Sequence, residues 1–105
     1  MTKDSQIQEM QLLEQNLQNI LMQKQAFNME LAESNSALQE LQKAGEEVYK
    51  IVGGLMLKSD KSKVLEDLEN KKKLFELRLK NLEKQEITLS EKVDLIRQEI
   101  LKERK

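Results

Sequence analysis

From about Ser5 to Ala44 the chain runs without a glycine or proline, and apolar side chains return at alternating steps of three and four: Met10, Leu13, Leu17, Ile20, Phe27, Leu31, Leu38 and Leu41. Lys24 and Ser34 occupy the two polar positions of the same series. This is the a/d register of a coiled coil, in which one apolar stripe returns to the same side of a helix every 3.5 residues. It predicts a helix over residues 1–44. Asp4 or Ser5 caps its start by accepting from free first-turn amides, and Gly45 stops it by taking a left-handed conformation that glycine adopts without a Cβ penalty.

A second stretch, residues 62–105, repeats the register through Leu65, Leu68, Lys72, Phe75, Leu79, Leu82, Glu86, Leu89, Val93, Ile96 and Ile100. Ser59, Asp60 and Ser62 are candidate caps. Asp67 with Lys71, Glu69 with Lys73 and Glu76 with Lys80 stand at the i,i+4 spacing that supports an exposed helix face. At 1.5 Å per residue each helix spans on the order of 60 Å, too long to pack inside a domain of this mass.

Between the helices the period changes. Val48, Tyr49, Ile51 and Val52, then Leu55, Met56 and Leu57, flank the pair Gly53-Gly54. Glycine supplies the positive φ angles of a two-residue loop, so residues 45–61 are expected to form a β-hairpin. A continuous helix is the competing reading; it is disfavoured by about 2 kcal/mol for the two glycines, with a further cost from the β-branched run. The strands are apolar on both faces. An isolated two-stranded hairpin is marginal in water and has two open edges, so this segment calls for strands from other subunits.

The fold class expected is mainly α: a long antiparallel two-helix coiled coil joined by a β-hairpin, the whole chain being one domain. Antiparallel pairing sets Leu41 near Leu65 and Met10 near Ile96. Lys24 and Glu86 interrupt the two seams within about a turn of each other, either as a register-fixing pair or as two solvated exceptions.

Composition narrows the chemistry. Just over half of the 105 positions are Ala, Glu, Lys, Leu or Arg, as in long helices. There is no histidine and no cysteine, which removes the usual zinc ligand, the neutral-pH proton shuttle and the thiolate nucleophile. The carboxylates lie on solvated helical faces with no pocket to pair them. Gly53-Gly54 lacks the spacing of a phosphate-cradling loop. A non-enzyme without metal or cofactor is therefore expected. The net charge of −1, with 18 basic and 19 acidic residues, gives no basic surplus for nucleic acid, and Lys71, Lys72 and Lys73 point in three directions around a helix with no aromatic residues interleaved. No apolar run approaches the ~20 residues of a membrane span, and the polar N-terminus, Met1 to Gln6, has no signal-peptide core, so a cytoplasmic address without membrane partners is expected.

Where the termini meet, Ile7, Met10, Leu12, Leu13, Val93, Leu95, Ile96, Ile100 and Leu101 crowd the ends of the two helices. Leu12 and Leu101 fall outside the seam, making the apolar stripe wider than a two-stranded contact uses. Such surface marks an interaction site, against the plainer alternatives of a frayed end or of extra contacts in a larger bundle. Of the methionines, Met10 is placed to serve that surface, Met56 to fill a core made by the hairpin, and Met22 and Met29 to pack beside the seam.

The segment Gly45-Glu46-Glu47-Val48-Tyr49-Lys50-Ile51-Val52-Gly53-Gly54-Leu55-Met56-Leu57-Lys58, followed by Val64-Leu65-Glu66-Asp67-Leu68, resembles the corresponding part of prefoldin β subunits, the archaeal form above all. The likeness extends to the helix, hairpin, helix order of the whole chain; an α-class subunit carries two hairpins, and there is room for one. The resemblance implies a hexamer of two α and four β subunits, with the hairpins (Val48, Tyr49, Ile51, Val52, Gly53, Gly54, Leu55, Met56, Leu57) assembled into inter-subunit β-barrels. It also implies an ATP-independent holdase that captures unfolded polypeptides at the coiled-coil tips (Ile7, Met10, Leu12, Leu13, Val93, Ile96, Ile100, Leu101) and passes them to a group II chaperonin. A structural coiled-coil adaptor or tether is the alternative, but a spacer has no need of an oligomer-forming sheet.

Overall fold

The computed structural model describes residues 3–103; Met1, Thr2, Arg104 and Lys105, at the outer ends of the two expected helices, lie outside the described residues. Four elements follow one another: α1 (Lys3–Lys43), β1 (Glu47–Val52), β2 (Leu55–Asp60) and α2 (Lys61–Glu103). The 3-4 pattern therefore finds both helices to within a residue or two wherever the chain is described.

The helix ends differ from expectation. Gly45 does not take a positive φ; among the described residues only Gly53 and Gly54 do. α1 closes instead through the amide of Ala44, shared between the carbonyls of Glu40 (3.1 Å) and Leu41 (3.2 Å), while Lys61 Nζ donates to the Ala44 carbonyl at 2.8 Å. A cation from the first turn of α2 thus satisfies a carbonyl at the negative end of the α1 dipole. Ser62 lies inside α2 and Asp60 immediately precedes it, so Asp60 holds the cap position. Asp67, expected to pair along its own helix with Lys71, instead has Lys50 of β1 at 3.9 Å.

The hairpin is antiparallel, with Glu47 opposite Asp60, Val48 opposite Ser59, Tyr49 opposite Lys58, Lys50 opposite Leu57, Ile51 opposite Met56 and Val52 opposite Leu55. Gly53 (φ 55°) and Gly54 (φ 82°) make the turn; positive φ at both central residues matches the right-handed twist of the strands it joins. β2 runs three residues beyond Leu57, where side-chain hydropathy gives no strand signal. Directly opposed carboxylates at Glu47 and Asp60 are unfavourable, and Lys58 Nζ offsets this at 3.4 Å from Glu47 Oε1.

The chain divides into two compact units, the described parts of residues 1–26 with 79–105, and Phe27–Arg78. In the first, the seam buries Ile20, Leu79, Leu82, Val93, Ile96 and Ile100, and Lys24 Nζ donates to Glu86 Oε2 at 2.9 Å. Two polar interruptions of the seam, one from each helix, therefore meet as an ion pair. The hydrogen bond to Glu86 raises the Lys24 pKa above its ordinary 10.5. In the second unit Phe27 and Phe75 stand 5.7 Å apart, tilted by 40°, with the Arg78 guanidinium 5.8 Å from the Phe27 centroid. Both separations fall in the attractive range for aromatic and cation–π pairs, ~0.5–1.5 kcal/mol each. Ser34 and Leu41 are buried in the same unit.

Candidate functional site

Large apolar side chains stay exposed in both units, Leu77 and Ile87 along the helices among them, and they group most densely at two surfaces. In the Phe27–Arg78 unit it is the hairpin. Val48 is 8% exposed, seated beside Leu41, Val64 and Leu68, so the helix ends cover the base of the hairpin. Beyond Val48 the cover stops. Ile51 is 71% exposed, and Tyr49, Val52, Leu55, Met56 and Leu57 are all exposed. Alternation along the strands puts Tyr49, Ile51 and Met56 on one face and Val52, Leu55 and Leu57 on the other, so both faces and both edges are bare. A groove of about 520 Å³ between Tyr49, Ile51, Val64, Leu68 and Leu74 continues one face onto α2.

In the other unit the surface is the end of the coil near the termini. The sequence groups nine apolar residues there, and the structure sorts them. Val93 (4% exposed), Ile96 and Ile100 are buried in the seam, and Ile7, Met10 and Leu13 are half-buried. Leu12, Leu95 and Leu101 are exposed. The exposed apolar surface at this end is therefore carried by residues outside the a/d series. Arg97 stands 3.6 Å from Glu14 and 3.6 Å from Asp94, so charged side chains share that end with the leucines. Met22 and Met29 are exposed rather than packed beside the seam, because their heptad positions face away from the partner helix.

Pattern reading passed over Gln6. It occupies the seam position four residues before Met10 and is 5% exposed. Its Nε2 donates to Glu99 Oε2 at 3.2 Å, but its buried Oε1 has no hydrogen-bond partner. An orphaned buried acceptor costs ~1–3 kcal/mol. Extending the 3-4 series one step towards the N-terminus is the signal that finds it.

Among the described residues no cluster of three or more potential metal ligands occurs, and no helix is long and apolar enough to cross a membrane.

Helix, Gly-Gly hairpin and helix, with the seam closed and the strands bare, define the class of coiled-coil hairpin proteins. The family profile described as Prefoldin subunit matches residues 4–104. Prefoldin subunit beta of Thermococcus onnurineus is 44% identical over 89 residues, covering 83% of this chain and 77% of that protein. Prefoldin subunit beta of Sulfurisphaera tokodaii is 37% identical over 98 residues, covering 91% and 78%. The crystal structure of the prefoldin beta subunit from Thermococcus strain KS-1 superposes with a TM-score of 0.85 at 34% identity, covering 93% of this chain and 88% of that one. The chain belongs to the prefoldin family, as a chaperone subunit of the β kind.

Proposed function

We propose that this chain is a nucleotide-independent holdase subunit whose hairpin assembles it and whose coil end holds unfolded polypeptides. The observation that carries the reading is the sorting of apolar residues: the seam keeps its own, while the hairpin and Leu12, Leu95 and Leu101 are left exposed. Exposed apolar groups on this scale are costly unless a partner covers them. On the hairpin side the partner is other prefoldin subunits, two α and three further β chains, with the strands closing into barrels that remove their open edges. Acting as a single prefoldin-like domain in the cytoplasm, the chain then passes its clients to a group II chaperonin. No catalytic step is involved.

The test mixes the chain with an α subunit, measures the mass of the assembly, and follows aggregation of chemically denatured, unrelated proteins with and without ATP. A hexamer that suppresses aggregation equally in both conditions is expected. Dependence on ATP hydrolysis, or no suppression at several-fold molar excess, overturns the reading.

A further inference from the structure

We infer that Gln6 is a positioning residue of the client-holding end, loosening the last layer of the seam so that Ile96 and Ile100 become available to an extended apolar segment of a non-native polypeptide. The inference rests on the holdase reading above and adds to it a residue and a direction. Gln6 sits in the first turn of α1 at a position where the seam elsewhere carries mainly apolar side chains, and it is nineteen-twentieths buried. One end of its amide is held by Glu99 Oε2; the carbonyl is shut away from water with no donor. Opening the turn returns that carbonyl to water, so the closed layer is weaker than an apolar side chain of the same reach would make it. Terminal turns already lie at the low end of local stability. What the opening uncovers is Ile100 and then Ile96, both buried when the layer is closed and flanked in sequence by the exposed Leu101 and Leu95. A static apolar end offers three leucines; an end that opens adds two isoleucines.

This predicts an effect opposite in sign to that of simple hydrophobicity. In the assembled protein, Gln6→Leu should slow amide exchange in the first turns of α1 and the last turns of α2 by about tenfold. It should weaken binding of a permanently unfolded probe, reduced and carboxymethylated α-lactalbumin, by up to the same factor, because a client that binds the open form loses affinity in proportion to its population. Gln6→Met, equally apolar and more flexible, should move both readouts in the same direction. Binding by Gln6→Leu as tight as or tighter than the parent's, as a fixed apolar surface requires, overturns the inference, and so does unchanged exchange. Failure of the parent itself to bind the probe overturns the holdase reading as well, which separates the two failures.

Discussion

The coil formed by residues 3–26 and 79–103 buries Ile20, Leu79, Leu82, Val93, Ile96 and Ile100, whereas Phe27–Arg78 buries, of its large apolar side chains, Leu41 and Val48 alone among the described residues. Residue type does not account for the difference, since isoleucine, valine and leucine are common to both. In the coil the a/d positions Ile20, Leu79, Leu82, Val93, Ile96 and Ile100 are buried within one chain. In the hairpin the sheet has two strands, and a two-stranded sheet has no inside. The first region buries its seam on folding, whereas the strands of the second stay exposed in the single chain, and the proposed assembly is what would cover them.

Ile51→Asp should break this contrast most severely. A carboxylate buried without a partner costs several kcal/mol, so assembly with an α subunit should be lost by light scattering while the helical circular dichroism of the single chain is kept. Full-size assemblies of the variant would show that the hairpin is not the interface.

Alanine at two isoleucines sharpens the contrast. Ile96→Ala should destabilise the isolated chain by ~2–5 kcal/mol in urea unfolding, while Ile51→Ala, at an exposed site, should stay within ~0.5 kcal/mol of the parent. Similar losses for both would mean that the hairpin is buried in the free chain.

Replacing Leu12, Leu95 and Leu101 together with serine tests the coil end. Each leucine covered by a client is worth ~1.5–3 kcal/mol, so aggregation suppression should fall markedly at unchanged assembly mass. Undiminished suppression moves the client surface elsewhere.

The smallest effect concerns the ion pair. The folded-state pKa of Lys24 is raised by its hydrogen bond to Glu86, so its contribution is fully present below the ordinary lysine value and is lost as pH rises through the higher folded one. Lys24→Met should lower the thermal midpoint by a few degrees at most at neutral pH, and the gap to the parent should narrow in strong alkali. A gap that widens there contradicts the assignment.

The fold was largely legible because each part announces itself through periodicity. Ten seam positions on α1 and eleven on α2 follow a 3-4 step, and none of these residues is exposed; the change of period and the two glycines mark the hairpin. The meeting of Lys24 with Glu86 was readable as a possibility, since two polar breaks in facing seams either pair or cost energy. The ends were less readable. Gly45 is suited to a stop it does not make, because Lys61 supplies the carbonyl's partner from 17 residues away, and no local pattern encodes that contact. The split among the apolar residues near the termini also escaped a listing by type: Val93, Ile96 and Ile100 differ from Leu12, Leu95 and Leu101 in heptad position. Gln6 was hidden by its polarity.

The turn at Gly53 and Gly54 carries one more consequence. A Cβ built at either position meets nothing within 4 Å, so within the single chain the demand for glycine there comes from handedness alone. An L side chain has room but the wrong dihedral; a D-amino acid has both room and dihedral. In the single chain the hairpin tip thus has room for mirror-image chemistry, and a chemically made chain with D-alanine there should keep the same strand register with fewer conformations to lose on folding.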